Sequence, residues 1–365
     1  MINELLNFIG KAFSGLDARD LLCMAQIILA VIKERTVNLA KLSMHCAHTS
    51  VRSQARYRRL QRFITRCPFK QDHLAALIMG FFEGSVVLAM DRTNWAFGAF
   101  EINILVLSVV YKGYSFPLFW NLLPHKGCSS AENRIDLINT FIQTFGTSRI
   151  QALVMDREFI GPVWLGFLEH EDITFHVRLR NNIKIGQIKG EMVSPQQDFD
   201  ALKPYEKIEL PERRKIGVKK EGMQLFVSAT RSGDGNLVVV ASNKQGDEAL
   251  DRYKQRWGIE TLFGCLKTRG FSLEETHLQD RQKISHLLVV LSLAFFWAFK
   301  IGEWLNDKAP IQLKTHKRKA ISLFRYGLNA LVMAKNAFQK QLLIPLQSSN
   351  PIPPTKNLIN SLGYL

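Results

Sequence analysis

Acidic residues are missing from two long stretches of this sequence. No Asp or Glu occurs from Arg35 to Gln71 or from Lys308 to Leu365, and each stretch carries nine Lys or Arg. The chain of 365 residues has a net charge of +16, so everything between and around those stretches is close to neutral. Cysteine is sparse as well. Cys23, Cys46, Cys67, Cys128 and Cys265 are odd in number, widely spaced and without a CxxC pair. That excludes a disulfide framework or a zinc finger and suits a reduced, cytoplasmic compartment. His45, Cys46 and His48 lie together but lack a second pair of ligands, so packing and surface roles fit them better than a metal. A long apolar run is lacking too. Leu287 to Phe299 stops short of the roughly 20 residues that cross a bilayer, and His286 and Lys300 flank it, so it reads as a buried core helix. The N-terminal segment mixes acids and polar residues into its apolar pattern, unlike a secretory signal.

What is present is a 47% hydrophobic chain, enough for a sizeable core and two or three domains. The positive charge is confined to two flanking arms around a near-neutral middle. That distribution suits a polyanion, with nucleic acid ahead of anionic lipid or a merely solvated surface.

Residues 1–75 read as helical. Leu21 to Ile32 has helical apolar spacing, and Val37 to Cys46 is a second, shorter helix. His48, Thr49 and Ser50 supply a turn and cap before a third helix over Val51 to Thr65. This last helix carries Arg52, Arg56, Arg58, Arg59 and Arg62, with Tyr57, Leu60, Phe63 and Ile64 on its core side. The arrangement is like a helix-turn-helix, with the arginines as candidate DNA contacts; a basic helical bundle is the plainer alternative.

The middle changes character. Ser85 to Met90, Ile102 to Tyr111, Phe116 to Trp120 and Ile150 to Met155 are apolar, β-branched runs of strand length. Ser129 to Glu132 reads as a capping box opening a helix to about Phe145, and a second helix is expected from Gly161 to Glu169. Fully apolar strands alternating with helices indicate an α/β fold with a buried sheet. From Arg178 to about Lys244, glycines punctuate short strand candidates, which predicts a small β-rich insertion. Helices resume after Asp247, and the tail from Ser348 is Pro-rich.

Two carboxylates share one local pattern. Met90-Asp91-Arg92 and Met155-Asp156-Arg157 each end an apolar strand, the rim position where α/β sites form. Either Asp alone is read as a turn cap. A third acid lies in the segment Asp251 to Lys267. On one continuous helix, Tyr253, Arg256, Glu260 and Lys267 fall within roughly 60° of one another, beside an apolar face of Ile259, Leu262, Phe263 and Leu266. An ordinary amphipathic helix has the same look.

Three motifs taken in order carry more than any one. Asp91-Arg-Thr-Asn-Trp95, Asp156-Arg-Glu-Phe159 and Tyr253-x2-Arg256-x3-Glu260-x6-Lys267 together resemble the DDE transposases of bacterial insertion sequences, in the insertion-sequence-4 branch. The resemblance runs from the basic N-terminal helices to the basic segment around Lys317, Arg318 and Lys319, nearly the whole chain. It implies a ribonuclease-H-like core split by the β-rich insertion, with the core in residues 80–180 and 246–305 and the insertion in 181–245. A DNA-binding domain in 1–75 and a basic C-terminal region in 306–365 complete the expected layout.

The chemistry needs these residue types. Three converging carboxylates are anionic at neutral pH and repel unless cations lie between them. Hard oxygen ligands favour two Mg²⁺ ions, with Mn²⁺ as substitute, for in-line phosphoryl transfer. The resemblance implies Asp91, Asp156 and Glu260 as catalytic metal ligands, and Tyr253, Arg256 and Lys267 as phosphate contacts. Lys317, Arg318 and Lys319 are further candidate DNA contacts. Terminal inverted repeats and target DNA are the implied partners, and a homodimer on DNA with no membrane the implied assembly. Some members stack a flipped base on a Trp of the insertion; here no Trp lies between Trp164 and Trp257, leaving Phe175, Phe199, Tyr205 or Phe226 for such a role. Competing readings are a metal-dependent nuclease that cuts without joining, a ribonuclease of the same fold, and a non-catalytic DNA-binding relic.

Overall fold

The computed structural model describes residues 2–13, 17–46, 52–66, 70–187, 190–217, 222–246, 248–315, 317–333 and 345. The turn expected at His48 to Ser50 and the Pro-rich tail lie outside the described residues. In chain order, helices α1 (Ile2–Ala12), α2 (Ala18–Glu34), α3 (Leu39–His45), α4 (Ser53–Arg66) and α5 (Gln71–Met79) precede strands β1 (Val86–Phe97), β2 (Phe100–Tyr111) and β3 (Tyr114–Leu122). Helix α6 (Ala131–Phe145), strand β4 (Ile150–Met155), helix α7 (Pro162–His170) and strand β5 (Phe175–Arg178) follow. Short elements come next: β6 (Ile185–Gly186), β7 (Met192–Val193), α8 (Pro195–Asp198), β8 (Lys207–Glu209) and β9 (Arg214–Ile216). The series closes with β10 (Met223–Arg231), β11 (Leu237–Ser242), α9 (Ala249–Lys254), α10 (Trp257–Leu266), α11 (Arg281–Asn306) and α12 (Leu323–Met333).

The chain divides into two compact units. One comprises residues 1–83, 95–100 and 263–365, and the other residues 84–94 and 101–262. The second unit is mixed α/β, built on a sheet of order β3-β2-β1-β4-β5-β11-β10-β9-β6-β7, with β8 pairing β10. Strand β4 lies parallel to both β1 and β5, whereas β2–β3, β5–β11 and β10–β11 are antiparallel. The paired centres of β1 and β4 are apolar: Leu88 to Met90 and Ala152 to Met155 are all buried, as central parallel strands must be. The β2–β3 hairpin turns through Lys112 and Gly113, with φ of 48° and 79°, the left-handed pair that matches strand twist in a two-residue loop.

Three local expectations change. Strand β1 does not end at Asp91 but runs to Phe97. Its pairing with β4 stops at Met90, and β2 on its other side continues as partner. The cap of α6 is Ser130, closed by Asn133 as third helical residue instead of Glu132, with Ser130 Oγ accepting from Asn133 N at 3.2 Å. The helix expected from Asp251 to Lys267 is broken into α9 and α10.

The first unit is helical. Its centre is α11, packed against α2, α4, α5 and α12. At 26 residues α11 extends well past the apolar run seen in the sequence, and by length and composition it could cross a bilayer. Its most apolar window is 94% buried within the fold, which identifies it as a core helix. Helix α4 buries Leu60, Phe63 and Ile64 and leaves its arginine-rich face outward.

Candidate functional site

The site forms in the α/β unit where the parallel pairing of β1 with β4 ends. Asp91 lies one residue past the β1–β4 pairing, and Asp156 directly follows β4. Asp156 also opens a tight turn over Arg157 to Phe159, closed by Phe159 N donating to its carbonyl at 3.0 Å. Glu260 stands one turn into α10.

The break between α9 and α10 brings the third acid to the other two. Hydrogen bonds at Arg256 N, Gly258 N and Ile259 N reach back only three residues, to Tyr253, Gln255 and Arg256. This tightened turn replaces the regular helical ladder. Gly258 makes the approach possible, because a Cβ there would lie 2.8 Å from the carbonyl carbon of Tyr114 in the β2–β3 hairpin. Sequence periodicity did not reveal that requirement.

One chain of hydrogen bonds then connects all three acids. Arg256 donates to Asp91 Oδ2 at 3.2 Å, to Glu260 Oε1 at 2.6 Å and to the Tyr253 hydroxyl at 3.2 Å. The Tyr253 hydroxyl donates in turn to Asp156 Oδ1 at 3.4 Å. Arg256 is buried, with its guanidinium over the Tyr253 ring. Burial opposes its charge, but Tyr253, Glu260, Asp156 and Asp91 outweigh that and hold the guanidinium above its ordinary pKa. Burial pushes the Asp91 carboxyl up to about 7, against the Arg92 amide and Arg256, which favour the charged form.

The donors suit a hard divalent cation, being carboxylate oxygens throughout. As they stand, Arg256 occupies Asp91 and Glu260, and among the described residues no three His, Cys, Asp or Glu are grouped to hold a metal.

A second network, to which sequence reading assigned no role, supports both Asp-bearing segments. Arg92 grips Glu158 through Nε and Nη2 at 3.3 and 3.2 Å, and reaches Asn103 Oδ1 at 2.9 Å. Asn103 in turn donates to the carbonyls of His125 and Gly127. Arg134, buried at the start of α6, donates to the Ser129 hydroxyl and carbonyl and to the Glu158 carbonyl. Its sequence signal was Arg92, directly after Asp91, and Glu158, two residues after Asp156, both within the motifs quoted above.

The other expected residues lie as follows. Lys267 comes after the last residue of α10, in the helical unit, where it pairs with Glu274 at 2.8 Å and sits over the Trp95 ring. In the same unit, Arg52, Arg58 and Arg62 line an open groove of about 710 Å³, joined by Arg66 and Lys283. Arg59 turns inward to the Arg19 carbonyl, and Arg56 Nε is buried without a hydrogen bond among the described residues. Lys317, Arg318 and Lys319 are exposed around a bridge between Leu313 and Lys319. Of the four aromatics considered for base stacking, Phe175 and Phe199 are buried and Phe226 lies under Arg213, while Tyr205 is exposed.

Residues 129–297 match the family model of the transposase DDE domain, a span that holds Asp156, Tyr253, Arg256, Glu260 and Lys267 but not Asp91. This match supports a DDE transposase and, with it, DNA transposition as the general activity. No curated protein matches the chain. Among solved structures the chain is similar to the piggyBac transposase in its synaptic complex with hairpin DNA, seen by cryo-EM. The identity is 12% and the TM-score 0.45, over 98% of this chain and 84% of that one.

Proposed function

We propose that this protein is a DNA transposase of the bacterial insertion-sequence-4 branch, which cleaves transposon ends and transfers the 3′-hydroxyl strand into target DNA. The observation that carries the reading is the single hydrogen-bonded chain joining Asp91, Asp156 and Glu260 through Arg256 and Tyr253. Three acids from a strand, a strand end and a helix have no structural need to converge on one arginine–tyrosine pair. The order β3-β2-β1-β4-β5, with β1, β4 and β5 parallel, supports a ribonuclease-H-like core. The short strands from β6 to β11 support an insertion before the glutamate helix.

In this reading Asp91, Asp156 and Glu260 hold two Mg²⁺ ions, or Mn²⁺ in their place. Bound there, such ions activate the attacking oxygen and stabilise the leaving one during in-line displacement at phosphorus. Arg256, released from Asp91 and Glu260, turns its planar fork to the phosphate beside the cut, and Tyr253 orients it. Lys267 is a further phosphate contact, and the Arg52–Arg58–Arg62 groove with Lys317, Arg318 and Lys319 holds duplex DNA. Joining two terminal inverted repeats calls for two copies of the chain, hence a homodimer on DNA, working in the cytoplasm.

The test uses purified protein, the DNA ends of its element and a target plasmid in Mg²⁺ or Mn²⁺. Wild type is compared with Asp91→Asn and Glu260→Gln. Joined products that disappear in both variants are expected. Nicks without joining would replace the transposase by a nuclease, and binding without cleavage in every protein would leave a DNA-binding relic.

A further inference from the structure

Beside Asp156 lies an open cavity of about 350 Å³, lined by Arg157, Glu158, Arg180, Asn181 and Asn182. It belongs to neither the Arg256 chain nor the groove on α4. Its two arginines are placed by the sheet. Arg157 is two residues beyond the end of β4 and Arg180 two beyond the end of β5, and these strands run parallel. Both side chains therefore leave the same edge of the sheet, the edge where Asp156 sits. Arg180 Nε donates to the Arg157 carbonyl at 2.9 Å, which fixes the loop after β5 against the turn after β4.

The charges around this cavity do not balance. Its one carboxylate, Glu158, is already held by both arms of Arg92. Arg134 stands behind it, and its guanidinium is pulled below the ordinary value by burial, with Arg180 and Arg92 adding to that effect against Glu158. Four arginines thus surround one carboxylate. The guanidinium of Arg157 and the amides of Asn181 and Asn182 form no hydrogen bond within the described residues. Exposed donors on two fixed strand ends, with excess positive charge, are what a phosphate needs: arginine offers a planar fork to its oxygens, and asparagine amides add neutral donors.

We infer that Arg157, Arg180, Asn181 and Asn182 form a second phosphate subsite, which holds the backbone of the DNA strand next to the position cut at Asp156. The inference rests on the transposase reading, and the strand backbone is chosen over a free anion because the cavity opens beside the reacting carboxylate. A phosphate held there fixes the register of the strand without reading its bases.

The experiment follows binding of a fluorescein-labelled duplex to the full chain by anisotropy across a salt series, without divalent metal. Wild type is compared with Arg157→Ala/Arg180→Ala, Asn182→Asp and Asn182→Lys. The double variant is expected to bind about tenfold more weakly, with the slope of log affinity against log salt reduced by about two. Asn182→Asp, which leaves the Arg180 anchor intact, weakens binding in the same sense, and Asn182→Lys strengthens it. Thermal midpoints of the two Asn182 variants stay at the wild-type value. An unchanged slope in the double variant, with wild type binding normally, overturns the subsite alone. Wild type that binds no duplex overturns the transposase reading and this inference with it. Calorimetry with inorganic phosphate separates the two sources of the ligand: phosphate heat that vanishes in a double variant of unchanged DNA affinity assigns the cavity to a free anion and overturns the DNA strand as occupant.

Discussion

The guanidinium of Arg256 donates to Asp91 Oδ2 across 3.2 Å although 165 residues separate the two in sequence. Both side chains are largely buried, at 6% and 15% exposure. Removing one partner of such a pair leaves an uncompensated charge in a poorly solvated place, so Arg256→Gln should cost about 3 kcal/mol or more in metal-free buffer. Mn²⁺ then substitutes for the lost positive charge, and the variant should gain more stability from added Mn²⁺ than wild type does. Urea titrations with chelator and with Mn²⁺ measure both effects. Equal midpoints for the two proteins in chelator would show that Arg256 does not counter the charge of Asp91.

His176 on β5 is buried, and neither ring nitrogen has a hydrogen-bond partner among the described residues. Burial, with Arg252 adding to it, lowers its pKa to about 4 from an ordinary 6.5. Between those values the unfolded chain binds a proton that the folded one refuses, so stability rises with pH across that window and is lost as pH falls from about 6.5 to about 4. Below about 4 this contribution levels off. His176→Leu removes the titrating group, and its urea midpoint should fall less steeply than that of wild type over the same pH range. Parallel pH profiles for the two proteins would place the acid sensitivity elsewhere.

Much of this was legible in the residues. Strand β4 spans the expected Ile150 to Met155 because its apolar stretch from Ala152 to Met155 has only a buried sheet to enter. Helix α4 forms and buries Leu60, Phe63 and Ile64 because they recur at helical spacing, which leaves Arg52, Arg58, Arg62 and Arg66 to an open groove. What periodicity misses is whatever depends on a distant partner. Strand β1 outruns Asp91 because β2 pairs with it, not because of its own composition. The α9–α10 break depends on how closely Gly258 approaches the Tyr114 backbone. Arg92 and Glu158 are 66 residues apart, a separation at which no spacing rule links an Arg to a Glu.

Asn243, just past β11, ties that strand to the start of β5. Its side chain accepts from Phe175 N at 2.9 Å and donates to the Ile173 carbonyl at 2.9 Å, both in buried surroundings. Asn243→Ala strands one buried donor and one buried acceptor, at a cost of about 1–3 kcal/mol for an unmet group. Asn243→Asp keeps the acceptor and loses the donor. Urea midpoints should rank wild type above both variants, and a wild-type midpoint in Asn243→Ala would mean that water replaces both bonds.

Helices α11 and α12 meet backbone to backbone at Gly302 and Gly327. A Cβ on Gly302 would lie 1.8 Å from the Leu323 carbonyl oxygen, and one on Gly327 would lie 1.8 Å from that of Ala298. Two effects oppose each other in a Gly→Ala change here. Alanine is favoured over glycine inside a helix by about 1 kcal/mol. Overpacking against backbone that cannot rotate away costs about 1–3 kcal/mol or more. The clash is with main-chain atoms on both sides, so packing should win and each single variant should lose stability. Because either methyl forces the same two helices apart, the double variant should cost less than the sum of the singles. Urea unfolding of Gly302→Ala, Gly327→Ala and the double variant decides the matter. Singles that gain about 1 kcal/mol would mean that propensity outweighs packing and that the two helices do not touch through these glycines.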